Sequence, residues 1–208
     1  YQIEVPEKIR QKQPNYASKI TFIDTPGHQA FTKMRKGGAQ VADIVILVVA
    51  ANDGVKPQTI ESIDHIKNAK IPSIVALNKI DLPDINLVKV KKQLQKAGLS
   101  LEEFGGDVVL VPISAKNGTG MDKLLEMILF LADLYQIKSE DKAPFKGVVI
   151  ESLISKFKGI TATILVRSSV LKISDTVFCN SHEFKVRSIT DWKGKQLKEI
   201  NPGDPAEI

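Results

Sequence analysis

The sequence predicts an α/β domain built on a mostly parallel sheet with flanking helices, followed by a small antiparallel β-barrel. Three observations carry that expectation. Continuous apolar, β-branched runs recur along the first two thirds of the chain, and unbroken apolarity rather than alternation marks strands covered on both faces. The stretches between them carry an apolar period near 3.6 residues, the mark of helices with one buried side. Past residue 144 the texture changes to short strands separated by Gly, Ser, Asn and Asp, with no helical period.

The strands of the first part are Ile20–Asp24, Ile44–Ala50, Ile74–Leu77 and Val108–Val111. Between and after them, 57–69 places Ile60, Ile63 and Ile66 on one side, and 121–135 does the same with Leu124, Leu125, Ile128, Leu131 and Leu134. Strands alternating with helices give βαβ units with right-handed crossovers, hence an open sheet. The polar segment Ile137–Pro144, closed by a proline, reads as a linker. The first domain is therefore expected over 1–138 and the barrel over 145–208, the latter built from Gly147–Leu153, Ala162–Val166, Thr176–Asn180 and Glu183–Ile189.

Composition narrows the function classes. The chain of 208 residues is 43% hydrophobic and 25% charged, in the range of soluble globular proteins, and no apolar run approaches the roughly 18 residues of a membrane span. A net charge of +5, concentrated toward the C-terminal part, suits mild attraction to a polyanion such as ribosomal RNA. The single cysteine, Cys179, excludes an internal disulfide framework and reads as core packing in the apolar run Thr176–Cys179. Tyr1–Val5 shows neither an initiator Met nor a signal-peptide layout, so the chain reads as beginning inside a longer protein. No Gly-x-Gly-x-x-Gly is present, which leaves a dinucleotide-dependent metabolic enzyme without support.

In open α/β sheets ligands bind beyond the carboxyl ends of the strands, and three strand ends here are chemically loaded. After the first comes Asp24-Thr25-Pro26-Gly27-His28. A carboxylate at that place can hold a water of a hydrated Mg²⁺, and Gly27 lets a backbone N–H approach a terminal phosphate. After Ile74–Leu77 comes Asn78-Lys79-Ile80-Asp81. The Asp81 carboxylate can accept from guanine's ring N–H and exocyclic amine together, whereas adenine offers neither donor and would leave the charge unpaired, a difference of about 10⁴. The Asn78 amide meets the base's acceptors and the Lys79 stem lies across its face. After Val108–Val111 comes Ser114-Ala115-Lys116, whose backbone N–H groups reach a base carbonyl while Lys116 covers the other ring face.

Three such motifs in this order resemble the later nucleotide-binding motifs of the translational GTPases, P-loop NTPases whose nucleotide domain is followed by a β-barrel. Within that group the run Asp24–Arg35 resembles the bacterial initiation factor 2 family, as do Asp53–Thr59 and Gly147–Ser152, so the resemblance covers essentially the whole chain. It implies a cytoplasmic GTPase that binds GTP, GDP and Mg²⁺, promotes initiator tRNA placement and ribosomal subunit joining, and hydrolyses GTP on the ribosome. His28 would orient the attacking water; His65 and His182 have no such context. The implied partners are the small and large ribosomal subunits with their RNA, and an initiator formylmethionyl-tRNA bound by C-terminal domains beyond this chain; the basic residues Lys156, Lys158, Lys172, Lys185 and Arg187 could touch ribosomal RNA, or form a solvated face as scattered lysines usually do. No membrane is implied. Ser174 and Phe157 stand where the family usually has glycine.

One part of that family's machinery is not in the sequence. A Gly-x-x-x-x-Gly-Lys-Ser/Thr loop, whose N–H groups and Lys grip the phosphates, occurs nowhere in the chain. The expected nucleotide domain is therefore incomplete, with a sheet edge left unpaired and weak or no nucleotide binding by these 208 residues alone.

Overall fold

The computed structural model describes residues 1–13, 16–25, 41–138, 143–155 and 159–208. The chain forms two compact units, one from Val5–Ala17 and Asp24–Ile137, the other from Tyr1–Glu4, Ser18–Ile23 and Lys138–Ile208. The ribbon that chain order places in the N-terminal half is thus counted with the C-terminal unit.

The first unit holds a parallel three-stranded sheet in the order β3 (Val45–Ala50), β4 (Ser73–Asn78), β5 (Val109–Pro112). Helix α1 (Glu7–Arg10) precedes it; α2 (Pro57–Ala69), α3 (Leu87–Lys96) and α4 (Met121–Leu134) follow successive strands. Continuous apolarity means what it was expected to mean in β4, where Ile74, Val75, Ala76 and Leu77 are all fully buried. The core on one side joins Leu47, Val49, Val75 and Leu77 to Ile63, Ile66, Val90 and Leu94 of the helices. Pro57 opens α2 where its missing N–H costs nothing, and Asn86 caps α3 by accepting from the Lys89 N–H at 2.9 Å.

Four expectations change. The run Ile20–Asp24 is not a member of the parallel sheet: β2 (Lys19–Thr21) pairs antiparallel with β1 (Gln2–Glu4) in a separate two-stranded ribbon. Apolarity shows that a strand is covered but not which neighbour covers it. Helix α3 was not anticipated, because Lys89, Lys91 and Lys92 crowd its apolar residues Val90 and Leu94, which are buried nonetheless. Ile60 and Leu134, placed by period on buried faces, are 46% and 60% exposed. On β3, Val48, read as covered like the rest of its apolar run, is 61% exposed, and among the described residues this strand pairs only with β4.

In the second unit the strands are antiparallel. Strands β6 (Lys146–Ser155) and β7 (Gly159–Ser168) form a long hairpin, and β7 continues into β14 (Pro205–Glu207), β11 (Ile189–Asp191) and β12 (Gln196–Leu197). Two further pairs, β8 (Leu171–Lys172) with β13 (Glu199–Ile200) and β9 (Thr176–Cys179) with β10 (His182–Lys185), complete it. Its core gathers Ile164, Val166, Leu171, Val186, Ile189 and Ile200. Ser174 has φ 76, so the left-handed turn is kept without the usual glycine, held by its N–H to the Val186 carbonyl and by Asp175 accepting from the Lys172 N–H. Phe157 lies outside the described residues, as do 139–142 of the expected linker. Cys179 is exposed rather than packed: it ends a two-stranded ribbon beside its turn, while Val177 of the same strand packs against the core. Among the described residues no helix is long and apolar enough to cross a membrane.

Candidate guanine-recognition site

Parallel pairing sets the site. Leu77 pairs with Pro112, the Ile113 N–H donates to the Leu77 carbonyl at 2.8 Å and the Ile80 N–H returns to the Ile113 carbonyl at 3.3 Å. The segments after β4 and β5 therefore leave the sheet side by side, and the two sequence motifs meet. The Ser114 hydroxyl, fully buried, donates to Asp81 Oδ1 at 2.6 Å. Asn78 Oδ1 accepts from the Lys79 N–H at 2.7 Å and from the Ala115 N–H at 2.9 Å, tying one loop to the other. Lys79 adopts φ 66, a left-handed geometry rare in a residue with a side chain.

The Asp81 carboxyl is held below the ordinary carboxylate range, first by the Ser114 hydroxyl and further by its own backbone N–H and the Lys116 charge. It is exposed and anionic, with one oxygen bonded to Ser114 and the remaining acceptor capacity directed outward. The Ser114–Gly120 turn closes on itself: the Ser114 N–H donates to the Thr119 carbonyl, the Gly118 N–H to the Ser114 carbonyl, and Asn117 Oδ1 accepts from both the Thr119 N–H and its hydroxyl. Gly120 ends the turn at φ 78, where a Cβ would stand 2.3 Å from the Pro112 carbonyl oxygen. Only glycine fits there, and it opens α4.

The structure thus brings together Asn78, Lys79, Asp81, Ser114 and Ala115, with Lys116 close enough to bear on the Asp81 charge. Asp24 is exposed and Thr25 half-buried just after β2, and neither takes part in those bonds. Pro26, Gly27 and His28 lie outside the described residues. No cluster of three or more His, Cys, Asp or Glu able to hold a metal occurs among the described residues, and a single carboxylate acting through water, as Asp24 was read, needs none. His65 Nε2 lies 3.4 Å from Glu61 Oε1 within α2, and His182 is exposed beside the Phe184 ring. A cavity of about 470 Å³ sits at the opposite, N-terminal ends of β4 and β5, lined among others by Lys67, Ser73, Leu99 and Tyr135, away from this site. Asp53 was read only as part of the resembling run Asp53–Thr59 and given no place in the site, yet its carboxylate approaches both Lys56 and Lys79; its signal was its place after β3, one strand over from Asn78.

The model of the elongation factor Tu GTP binding domain matches residues 8–133, and that of elongation factor G domain 2 matches 144–208. Translation initiation factor IF-2 of Desulforamulus reducens is 50% identical over 190 residues, covering 91% of this chain and 19% of that protein. That of Thermotoga sp. strain RQ2 is 48% identical over 209 residues, covering 100% and 29%. The chain therefore spans less than a third of the length of these relatives. The crystal structure of translation elongation factor SelB from Methanococcus maripaludis, in complex with the GTP analogue GppNHp, superimposes with a TM-score of 0.70 at 26% identity, over 91% of this chain and 42% of that one. With guanine-type motifs joined at adjacent strand ends and these matches along both units, the chain belongs to the elongation factor Tu GTP binding domain family of translational GTPases and is similar over most of its length to translation initiation factor IF-2.

Proposed function

We propose that this chain is the base-recognising part of a translation initiation GTPase together with its following barrel. The observation that carries the reading is the bond from Ser114 to Asp81 beside the Asn78 bridge to Ala115. The anionic Asp81 acceptor matches guanine's two donors and the Asn78 amide nitrogen its ring acceptors, and the pair opposes adenine; the Ala115 N–H, bonded to Asn78 Oδ1, ties the two loops together. In this reading Lys79 and Lys116 flank the base. Asp24, an exposed carboxylate just after β2, would hold a water of Mg²⁺, and the residues Thr25–His28 would meet the γ-phosphate, with His28 orienting the attacking water.

The complete protein would hydrolyse GTP on the ribosome, in the cytoplasm, while promoting initiator tRNA placement and subunit joining. Resemblance to the named relatives supports this, and the SelB structure with a GTP analogue supports a guanine nucleotide as ligand. The exposed Lys172, Lys185 and Arg187 suit ribosomal RNA, although Lys172 also lies 3.4 Å from Glu199; Lys156 and Lys158 are outside the described residues. Initiator tRNA would be bound by segments beyond this chain.

The chain by itself has the base side and not the Gly-Lys-Ser/Thr loop, so it is expected to bind fluorescent GDP with a dissociation constant well above micromolar and to hydrolyse no GTP. A titration of residues 1–208 shows whether that division holds. Binding at micromolar or tighter would refute it.

A further inference from the structure

We propose that Asp53 is a positioning residue of the guanine site, holding the Lys79 ammonium so that the Lys79 stem is laid out for the base before it arrives; this rests on the base-side reading above. The parallel register pairs Ala50 with Asn78, and the Ala51 N–H donates to the Asn78 carbonyl at 2.8 Å. The loops after β3 and β4 therefore leave the sheet as neighbours. The first of them turns back at once. The N–H groups of Asp53 and Gly54 donate to the Ala50 carbonyl at 3.2 and 2.9 Å, Gly54 takes φ 71, and the Val55 N–H is held by Gln93 Oε1 at 3.2 Å. That tight turn places the Asp53 carboxylate with one oxygen 3.1 Å from Lys56 Nζ and the other 4.0 Å from Lys79 Nζ.

Lys79 takes a left-handed geometry and its N–H is bonded to Asn78 Oδ1, and the two together fix the root of its side chain. The Asp53 carboxylate faces the far end at 4.0 Å. A lysine side chain is rich in rotamers, and stacking on a base costs it most of them, so a tether at the tip removes part of that loss in advance. Lys56, at the start of α2, shares the carboxylate and keeps it in place. Lys79 and Asp53 side chains are 49% and 38% exposed, so water screens the pair and the gain is modest, about two- to fivefold in affinity.

The test is a titration of the 208-residue chain with guanosine 5′-monophosphate, followed by the amide signals of Lys79, Asp81, Ala115 and Lys116, with adenosine 5′-monophosphate as the control. Asp53→Asn should raise the dissociation constant about two- to fivefold, and Asp53→Glu should recover most of that loss. Lys79→Met should weaken binding, and Asp53→Asn combined with Lys79→Met should be no weaker than Lys79→Met alone. Unchanged affinity in Asp53→Asn, or losses that multiply in the double variant, would overturn the role of Asp53 while leaving the base site standing. If the unsubstituted chain responds to neither nucleotide, or equally to both, the base-side reading itself fails and the role of Asp53 goes with it.

Discussion

Gly120→Ala should destabilise the N-terminal unit more than Gly118→Ala, although the two glycines are two residues apart in one turn. Both have positive φ, 78 and 80, so a Cβ at either position brings the left-handed penalty of about 1–2 kcal/mol. They differ in their surroundings. At Gly118 an added Cβ meets nothing within 4 Å, while at Gly120 it stands 2.3 Å from the Pro112 carbonyl oxygen and 3.1 Å from Ile113 Cγ2. Pro112 is in β5 and its neighbour Ile113 is hydrogen-bonded to Leu77, so the obstruction is backbone that the sheet holds. Forcing it aside adds about 1–3 kcal/mol, the usual penalty of overpacking, for a total near 2–5 kcal/mol. With a urea slope of about 2 kcal/mol/M, Gly120→Ala lowers the midpoint by about 1–2.5 M and Gly118→Ala by about 0.5–1 M. Circular dichroism at the helix band reads the unit that holds α2, α3 and α4, and fluorescence of Trp192, the one tryptophan of the sequence, reads the other. The helix signal should shift and the Trp192 midpoint should stay. Equal midpoints for the two variants would show that Pro112 yields freely and that the turn is not braced as argued.

Ser174→Gly should stabilise the C-terminal unit, by about 1 kcal/mol or slightly less, since glycine removes the strain of φ 76 at some entropic cost; a raised Trp192 midpoint in urea is the readout. Ser114→Ala should raise the Asp81 titration midpoint toward the ordinary carboxylate value, measured by carboxyl-carbon NMR, because the Ser114 hydroxyl is the main cause of its depression. The linkage has a definite sign. A lowered folded-state pKa contributes stability that is present above the ordinary value near pH 4 and is lost as pH falls through the lower folded value, so the gap between Ser114→Ala and the unsubstituted chain should narrow only in strong acid.

The base-side residues were legible because their chemistry follows strand ends. Asn78 and Ser114 each come within two residues of the end of a strand whose apolar run is unmistakable, so unbroken apolarity placed both at the carboxyl ends of strands. What the sequence left hidden depends on packing between segments far apart in the chain. The Ile20–Asp24 run has the composition of a buried strand, yet β2 pairs with Gln2–Glu4, 15 to 19 residues earlier, and no local signal names that partner. Cys179 has the neighbours of a core residue, but it stands beside a two-residue turn at the exposed end of the ribbon, whereas Val177, two residues earlier, reaches the core. Asp53 acts on Lys79 across the register of two parallel strands, which becomes visible only once Ala50 is known to face Asn78.

The supports of the base site also bear on how recognition and affinity divide. Asn78 is braced from β3 through Ala51, Ile80 from β5 through Ile113, and Ser114 by its own turn through Thr119. All of these lie between residues 50 and 120, none in a segment expected to grip phosphate. Discrimination is a difference between two affinities and survives a uniform loss of both. A chain with this cluster intact should therefore prefer guanine over adenine nucleotides even where it holds either weakly, because the phosphate contacts it lacks would have contributed equally to the two. Asp81→Asn removes the anionic acceptor and should abolish the preference without a comparable loss for adenine nucleotides. That asymmetry separates a specificity site from a surface that attracts any nucleotide by its positive charge, for which the substitution would strengthen both.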